Sequence, residues 1–353
     1  LVAAFVLAFA GMVIVSAVSP WPEGDVLHFP LRHLGALFVA SMVALLVARR
    51  PAGTLLRAAP VMYLLALLAV AAVFVPGLGV RAAGAHRWLK FGASSFAPAP
   101  FLVWATGLLT AAWAPTRGDP PEGRERPRSS RLHVGLLASI GLALFVFVWE
   151  PDFSAAGIMV VTVLVVLAGV GWGSLRLIAV ALAGAALLTL VASRFPYVAS
   201  RVAGFRAPAA DRQGKGFEVL ALERSSLQAE GRGLGHGNAR WLLSSPASDY
   251  AFAVAREELG RGGALVMVGA TLVGMMGAFF VGQGAAKKQK RLRAVAFGSG
   301  AAIGAPALLH VAVCSGLVPI VGVSWPLVSY DPGAVVAAGL SLGALASVAA
   351  ESV

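Results

Sequence analysis

Long stretches without a single Asp, Glu, Lys or Arg recur along this chain, and no other feature restricts its fold so strongly. Each runs about 18 to 22 residues, the length an α-helix needs to cross ~30 Å of hydrocarbon at ~1.5 Å per residue. The spans read as roughly 1–19, 33–48, 58–78, 95–113, 132–149, 154–172, 177–193, 262–282, 294–316 and 333–350. With that placement all 28 basic and 16 acidic residues fall in loops or at span ends. A charge at mid-bilayer costs several kcal/mol, so exclusion this complete is a membrane signature.

The expected fold is therefore an all-α polytopic membrane protein of about ten transmembrane helices, a single integral domain over residues 1–353. The first span starts without a charged n-region or a small-residue cleavage site, and reads as a retained helix. Basic residues set the orientation. Arg49, Arg50 and Arg57 fill one loop; Arg124, Arg126, Arg128 and Arg131 a second; Lys287, Lys288, Lys290, Arg291 and Arg293 a third. These loops share one side, so that side and both termini are expected to be cytoplasmic. The net charge of +12 is then a topology signal and an attraction to anionic membrane lipid. No aromatic-interleaved basic patch points to nucleic acid. The one cysteine, Cys314, lies inside a span, which excludes an intrachain disulfide.

Two connections are long. Residues 115–131 are Pro-rich and charged, and are expected to form a flexible cytoplasmic loop. Residues 194–260 form a long external loop whose aromatic content argues for order, with short interfacial helices and glycine turns. The third loop is basic on the external side, where positive charge is normally depleted; Arg81, Arg87 and Lys90 there point to an anionic lipid or phosphorylated ligand.

The run Gly231-Arg-Gly-Leu-Gly-His-Gly-Asn238 has no preceding strand, so a dinucleotide fold is excluded. Its use is tight turns and close backbone approach to sugar or phosphate. His236 lacks partners at metal-ligand spacing, and Ser329 has no surrounding acid–base triad. Asp249 follows Ser248 and precedes an apolar run, as a helix cap would; a carboxylate there stays ionised, which also suits a general base. On a helix it would share a face with Phe252, Ala253 and Arg256, and Arg256 would hold the carboxylate or meet phosphate. Asp152, after Pro151, reads as a helix cap, with Glu150 beside it in the same short turn. Glu257 and Glu258 read as solvated or ion-paired at a span end.

Four segments carry a family resemblance. Trp149-Glu-Pro-Asp-Phe-Ser-Ala-Ala156 resembles the "EPDFG(T/A)A" element of the RodA/FtsW/SpoVE proteins, the SEDS family. Gly233-Leu-Gly-His-Gly-Asn238, followed by Ser248-Asp-Tyr-Ala-Phe-Ala-Val-Ala-Arg-Glu-Glu-Leu-Gly260, is similar to its "GVGLGN … TDFIFAVLAEELG". Gly316-Leu-Val-Pro-Ile-Val-Gly-Val-Ser-Trp-Pro-Leu-Val-Ser-Tyr330 resembles "GLLPTTGLPLPFVSYGG", and Arg87-Trp88 with Phe96-Ala-Pro98 resembles "RRWI…FQPSE". The matches run in one order over nearly the whole chain. The chain departs from the pattern at Pro100, Trp104, Ala221 and Leu222, where the family carries polar residues.

The resemblance implies a processive, inverting peptidoglycan glycosyltransferase of the bacterial inner membrane, acting on lipid II at the external face. It implies Asp249 as general base, with Asp152, Glu150 and Arg256 in support. Arg201, Arg206, Arg81, Arg87 and Lys90 are the candidates for the pyrophosphate, and Asn238, Ser329 and Tyr330 for the cavity mouth. A divalent cation, Mg²⁺ or Mn²⁺, is the one cofactor allowed; a class B penicillin-binding protein is the implied partner. The motif wording leans to the division form, and the short chain ends lean slightly further, to the elongation form RodA. The alternatives are a lipid II flippase and a non-catalytic scaffold for the partner. A flippase needs ionisable groups at mid-membrane, and among the predicted spans His310 alone qualifies.

Overall fold

The computed structural model describes residues 1–19, 27–82, 85–92, 94–115, 129–211, 214–227, 231, 233–286 and 289–352. Most of the loop 115–131, with Arg124, Arg126 and Arg128, lies outside them, as do Lys287 and Lys288. Each predicted span has its helix. In chain order these are α1 (Val2–Val18), α2 (His28–Ala48), α3 (Ala52–Ala71), α4 (Ala99–Trp113), α5 (Ser129–Trp149), α6 (Phe153–Gly169) and α7 (Ser174–Ala192). The long loop then supplies α8 (Pro196–Arg206), α9 (Lys215–Leu227) and the single turn α10 (Ala239–Leu242). Last come α11 (Ala251–Ala286), α12 (Lys290–Cys314) and α13 (Pro332–Ser352). Among the described residues, α2, α3, α7, α11, α12 and α13 are long and apolar enough to cross a membrane.

The expectation of an all-α chain needs correction. A three-stranded antiparallel sheet, β1 (Gly79–Ala82), β2 (Ala85–Phe91) and β3 (Ser94–Phe96), occupies the basic third loop in the order β1-β2-β3. Short strands around glycines carry no helical period, so in the sequence the segment reads as a basic loop. Val80 pairs with Trp88 and Arg81 with His86, so Arg87 is the extra residue at an irregularity in the β1–β2 ladder.

The chain forms two compact units. The first comprises Leu1–Val39, Thr189–Gly274 and Pro306–Val335; the second comprises Ala40–Leu188, Met275–Ala305 and Val336–Val353. At the centre of the second lies α4, apolar all round and buried from Leu102 to Ala112, packed against α3 and α6. Helices there approach backbone to backbone at small residues. A Cβ at Gly343 would come 2.6 Å from the Ala44 carbonyl oxygen, and one at Gly169 would come 2.6 Å from Ala294 Cα. Such contacts replace hydrophobic drive where the solvent is itself apolar.

Large apolar side chains face outwards: Phe5, Phe9, Phe38, Leu45, Leu65 and Phe280 are all exposed, and α7 buries none of its residues. Water would not tolerate so continuous an apolar surface, whereas lipid does.

Candidate functional site

In the first unit, the segment between α12 and α13 runs without regular structure from Leu317 to Tyr330 and packs against the turn before α11. Its hydrogen-bonding groups therefore have to be met one by one. Ser329, fully buried, donates its Oγ–H to the Ser248 carbonyl (2.6 Å) and accepts from Trp325 N (2.8 Å). Tyr330 N donates to the Ala247 carbonyl at 2.9 Å. Two successive carbonyls just ahead of Asp249 are thus tied to this segment. From the other side the Cys314 thiol approaches the Asp249 carbonyl at 3.7 Å.

The Asp249 carboxylate, half-buried, faces the backbone of the same segment: a Cβ at Gly322 would sit 3.4 Å from its Oδ2. Asp249 is not on the helix. α11 begins at Ala251, so the expected face shared with Phe252, Ala253 and Arg256 does not form. Arg256 instead donates to Ser226 Oγ and to the Cys314 carbonyl, each at 3.0 Å, and lies over the Phe252 ring. It ties α9 and the end of α12 to α11. Beside the turn, Tyr250 is buried and bonded to Glu218; burial first, then the Glu218 carboxylate, pushes its phenol up beyond the ordinary range.

Ser329 and Tyr330 were expected at a cavity mouth. Ser329 is instead a fully buried brace, because both of its bonds are to backbone; Tyr330 packs edge-on against Phe29. Asn238 heads α10 at the end of the glycine run.

That run does make tight turns, with positive φ at Gly231, Gly233 and Gly235. Its close approach, however, is to the protein's own carboxylates. Glu258 Oε1 accepts from Gly237 N (3.1 Å) and Glu257 Oε2 from Ala239 N (2.7 Å). Glu257 and Glu258 are buried rather than solvated. A Cβ at Gly237 would come 2.7 Å from Glu257 Oε2 and 3.1 Å from its Cβ, so any side chain there would displace the carboxylates. The run also lies against Gly260, where α11 breaks at φ 72° just before the predicted start of the eighth span. Near it an apolar groove of about 420 Å³ is lined by Met12, Val13, Ser16, Ala17, Leu234 and Gly235.

Of the candidate phosphate ligands in this unit, Arg201 lies over the Tyr197 ring at 5.5 Å, and Arg206 is exposed in the last turn of α8. The structure does not gather them on one point.

The second unit holds the turn between α5 and α6. Asp152 caps α6: its Oδ1 accepts from Ala155 N (3.0 Å) and from Ser154 Oγ (2.6 Å). Arg87 reaches this turn and donates to the Pro151 carbonyl. Glu150 is fully buried, and neither of its oxygens has a hydrogen-bond partner. Burial, then the neighbouring Asp152 charge, pushes its carboxyl up to about 9 against the opposing pull of Arg87, so it is protonated at neutral pH. Arg81 pairs with His86 across β1 and β2; Lys90 is exposed.

Among the described residues no group of three or more His, Cys, Asp or Glu comes together that could hold a metal ion.

Sequence reasoning missed two participants. Gly322 was invisible because its contribution is backbone. His310 was noted only as an ionisable group inside a span; it is fully buried, with both ring nitrogens engaged. His33, near the start of α2, is a second buried imidazole within a predicted span.

The whole chain, residues 1–353, matches the model of the cell cycle proteins FtsW, RodA and SpoVE. It is 29% identical over 357 residues to the probable peptidoglycan glycosyltransferase FtsW of Alkalilimnicola ehrlichii, covering 96% of this chain and 86% of that one. It is also 29% identical over 371 residues to the FtsW of Halomonas elongata so described, covering 100% and 90%. Among solved structures, a peptidoglycan synthase complex that coordinates polymerization and crosslinking contains a chain that superposes with a TM-score of 0.76 at 22% identity, over 99% of this chain and 96% of the other. The rod shape determining protein RodA of Thermus thermophilus superposes with a TM-score of 0.68 at 20% identity, over 99% and 95%. This multi-pass membrane protein belongs to the FtsW/RodA/SpoVE family of cell cycle proteins.

Proposed function

We propose that this chain extends peptidoglycan glycan strands from lipid II, with Asp249 as the general base. It is a peptidoglycan glycosyltransferase, and both the division and the elongation forms of the family fit it. The observation that carries the mechanism is the seating of Asp249. Its carboxylate stands at the edge of a turn whose backbone is tied down at Ala247 and Ser248, so the oxygens are held still for an incoming hydroxyl.

Asp249 takes the proton from the acceptor sugar's 4-hydroxyl as that oxygen attacks the anomeric carbon of the donor. The bond from that carbon to the pyrophosphate oxygen breaks with inversion, and polyprenyl pyrophosphate leaves with the electron pair. The proton passes from Asp249 to water. Cationic side chains steady the departing charge. Of the candidates, Arg201 and Arg206 lie in the unit that holds Asp249. A divalent cation, were one bound, would neutralise part of the departing charge. The groove at Met12 and Leu234 is apolar enough to take the polyprenyl tail.

The setting proposed is the bacterial inner membrane, crossed ten times with both termini inside and Asp249 on the external face. The synthase complex among the structural neighbours supports a transpeptidase partner, a class B penicillin-binding protein. A flippase is less well supported, since the imidazole of His310 is tied by both nitrogens to backbone and is not free to shuttle.

The test is polymerisation of lipid II by the purified chain with its partner. Asp249→Asn is expected to abolish glycan product while leaving lipid II binding intact. Wild-type polymerisation by this variant would overturn the base assignment. Lipid translocation without polymer from the wild type would establish the flippase reading instead, and activity carried by the partner alone would leave this chain as a scaffold.

A further inference from the structure

Phe252 is the second residue of α11, and its N–H is one of the donors a helix N-terminus leaves without an intrahelical acceptor. It is buried and points at His310 Nε2, 3.2 Å away. A backbone N–H can only donate, so Nε2 has to be the bare, accepting nitrogen. The proton of the neutral ring then sits on Nδ1, which lies 2.7 Å from the Val323 carbonyl oxygen and donates to it. Val323 belongs to the irregular segment before α13, where no helix or strand supplies a donor. A positive imidazolium would present a donor at both nitrogens, and would also stand at the positive end of α11.

These two bonds hold backbone that adjoins Asp249 on α11 and on the irregular segment. Phe252 is three residues beyond Asp249, and Val323 adjoins Gly322, whose backbone faces Asp249 Oδ2. The ring is fixed further by Trp325, whose centroid is 5.8 Å from His310 and 5.8 Å from Phe252. Trp325 is held in turn by its indole N–H bond to Thr271 Oγ1 at 3.3 Å. Both hydrogen bonds of His310 go to backbone.

We propose that His310 is a positioning residue for Asp249: as the Nδ1–H tautomer it pins the start of α11 to the Gly322–Val323 backbone and so sets the gap in which the carboxylate works. This inference rests on Asp249 being the base. Without the imidazole, α11 and the segment lose their shared anchor, and a shift of about 1 Å at a reacting group costs on the order of a hundredfold in rate.

The experiment compares wild type, His310→Leu, His310→Gln and Asp249→Asn in the lipid II polymerisation assay, each as the full chain with its partner. His310→Leu is expected to lower kcat by roughly a hundredfold with KM for lipid II within about twofold, because substrate contacts are untouched. His310→Gln carries an acceptor and a donor on one amide and is expected to recover most of that loss. Full kcat in His310→Leu, or a loss confined to KM, overturns the positioning role if Asp249→Asn is inactive. If Asp249→Asn is itself active, the base assignment is what fails. Should His310→Leu not fold, nitrogen NMR of histidine-labelled wild type reads the tautomer directly. An Nδ1–H ring at neutral pH supports the proposal; an Nε2–H ring or an imidazolium overturns it.

Discussion

Ser329 Oγ donates to the Ser248 carbonyl over 2.6 Å, and so suspends the peptide bond preceding Asp249 from the segment that leads into α13. The same oxygen accepts from Trp325 N, so a single hydroxyl closes a turn within the segment and fastens it to its neighbour. Ser329→Ala leaves a buried N–H and a buried carbonyl unpaired, at a cost of about 1–3 kcal/mol for each group. A clear drop in thermal stability is expected, with a larger fall in polymerisation rate. A variant as stable and active as wild type would show that water replaces the hydroxyl.

Gly237 is confined by the carboxylates it serves. In Gly237→Ala the new methyl would meet Glu257 Oε2 at 2.7 Å and Glu258 Oε1 at 2.8 Å, forcing both glutamates off the backbone they cap. Overpacking of this kind costs about 1–3 kcal/mol. At Gly262 a Cβ meets nothing within 4 Å, and the site is exposed on α11. Gly262→Ala should therefore be neutral or stabilising by up to about 1 kcal/mol. Paired unfolding curves check both values.

Glu150 gives the fold a pH dependence of known sign. Its carboxyl stands at about 9 in the fold against an ordinary value of 4.5, from burial first and Asp152 second. Between those values the folded state binds the extra proton, so stability falls as pH rises through that window. Wild-type Tm is expected to drop from about pH 5 to about pH 9, and Glu150→Gln to flatten that slope by mimicking the protonated acid. An unchanged slope in the variant would place the titrating group elsewhere.

Asp152 works on its own helix. Asp152→Ala removes the cap on Ala155 N and is expected to cost about 1 kcal/mol, while Asp152→Asn keeps an accepting oxygen and stays within a few tenths. Equal losses in the two would mean that the charge, rather than the cap, stabilises the turn.

The helices were legible because charge is excluded from a bilayer wherever the chain crosses it. Asp249 was legible through the wording of its surroundings, and the cap at Asp152 through its place after Pro151. The sheet at Gly79–Phe96 was not, since three short strands among glycines and basic residues look like a loop until they pair. The glutamates after Arg256 read as solvated or ion-paired at a span end, because nothing local tells a surface carboxylate from one that turns inward to meet a distant glycine loop.

What the sequence by itself determined is the solvent this protein folds in, the helices that follow from it, and one carboxylate at the end of a long loop. Hydrophobicity and helix length are local quantities and survive without a tertiary structure. The tertiary structure decided how the turn before that carboxylate is held: by Ser329 and Tyr330 some eighty residues further on, beside the bare backbone of Gly322, with His310 joining Phe252 N to the Val323 carbonyl. Those partners meet only when irregular segments, lacking helix or strand partners, satisfy their buried donors and acceptors on one another.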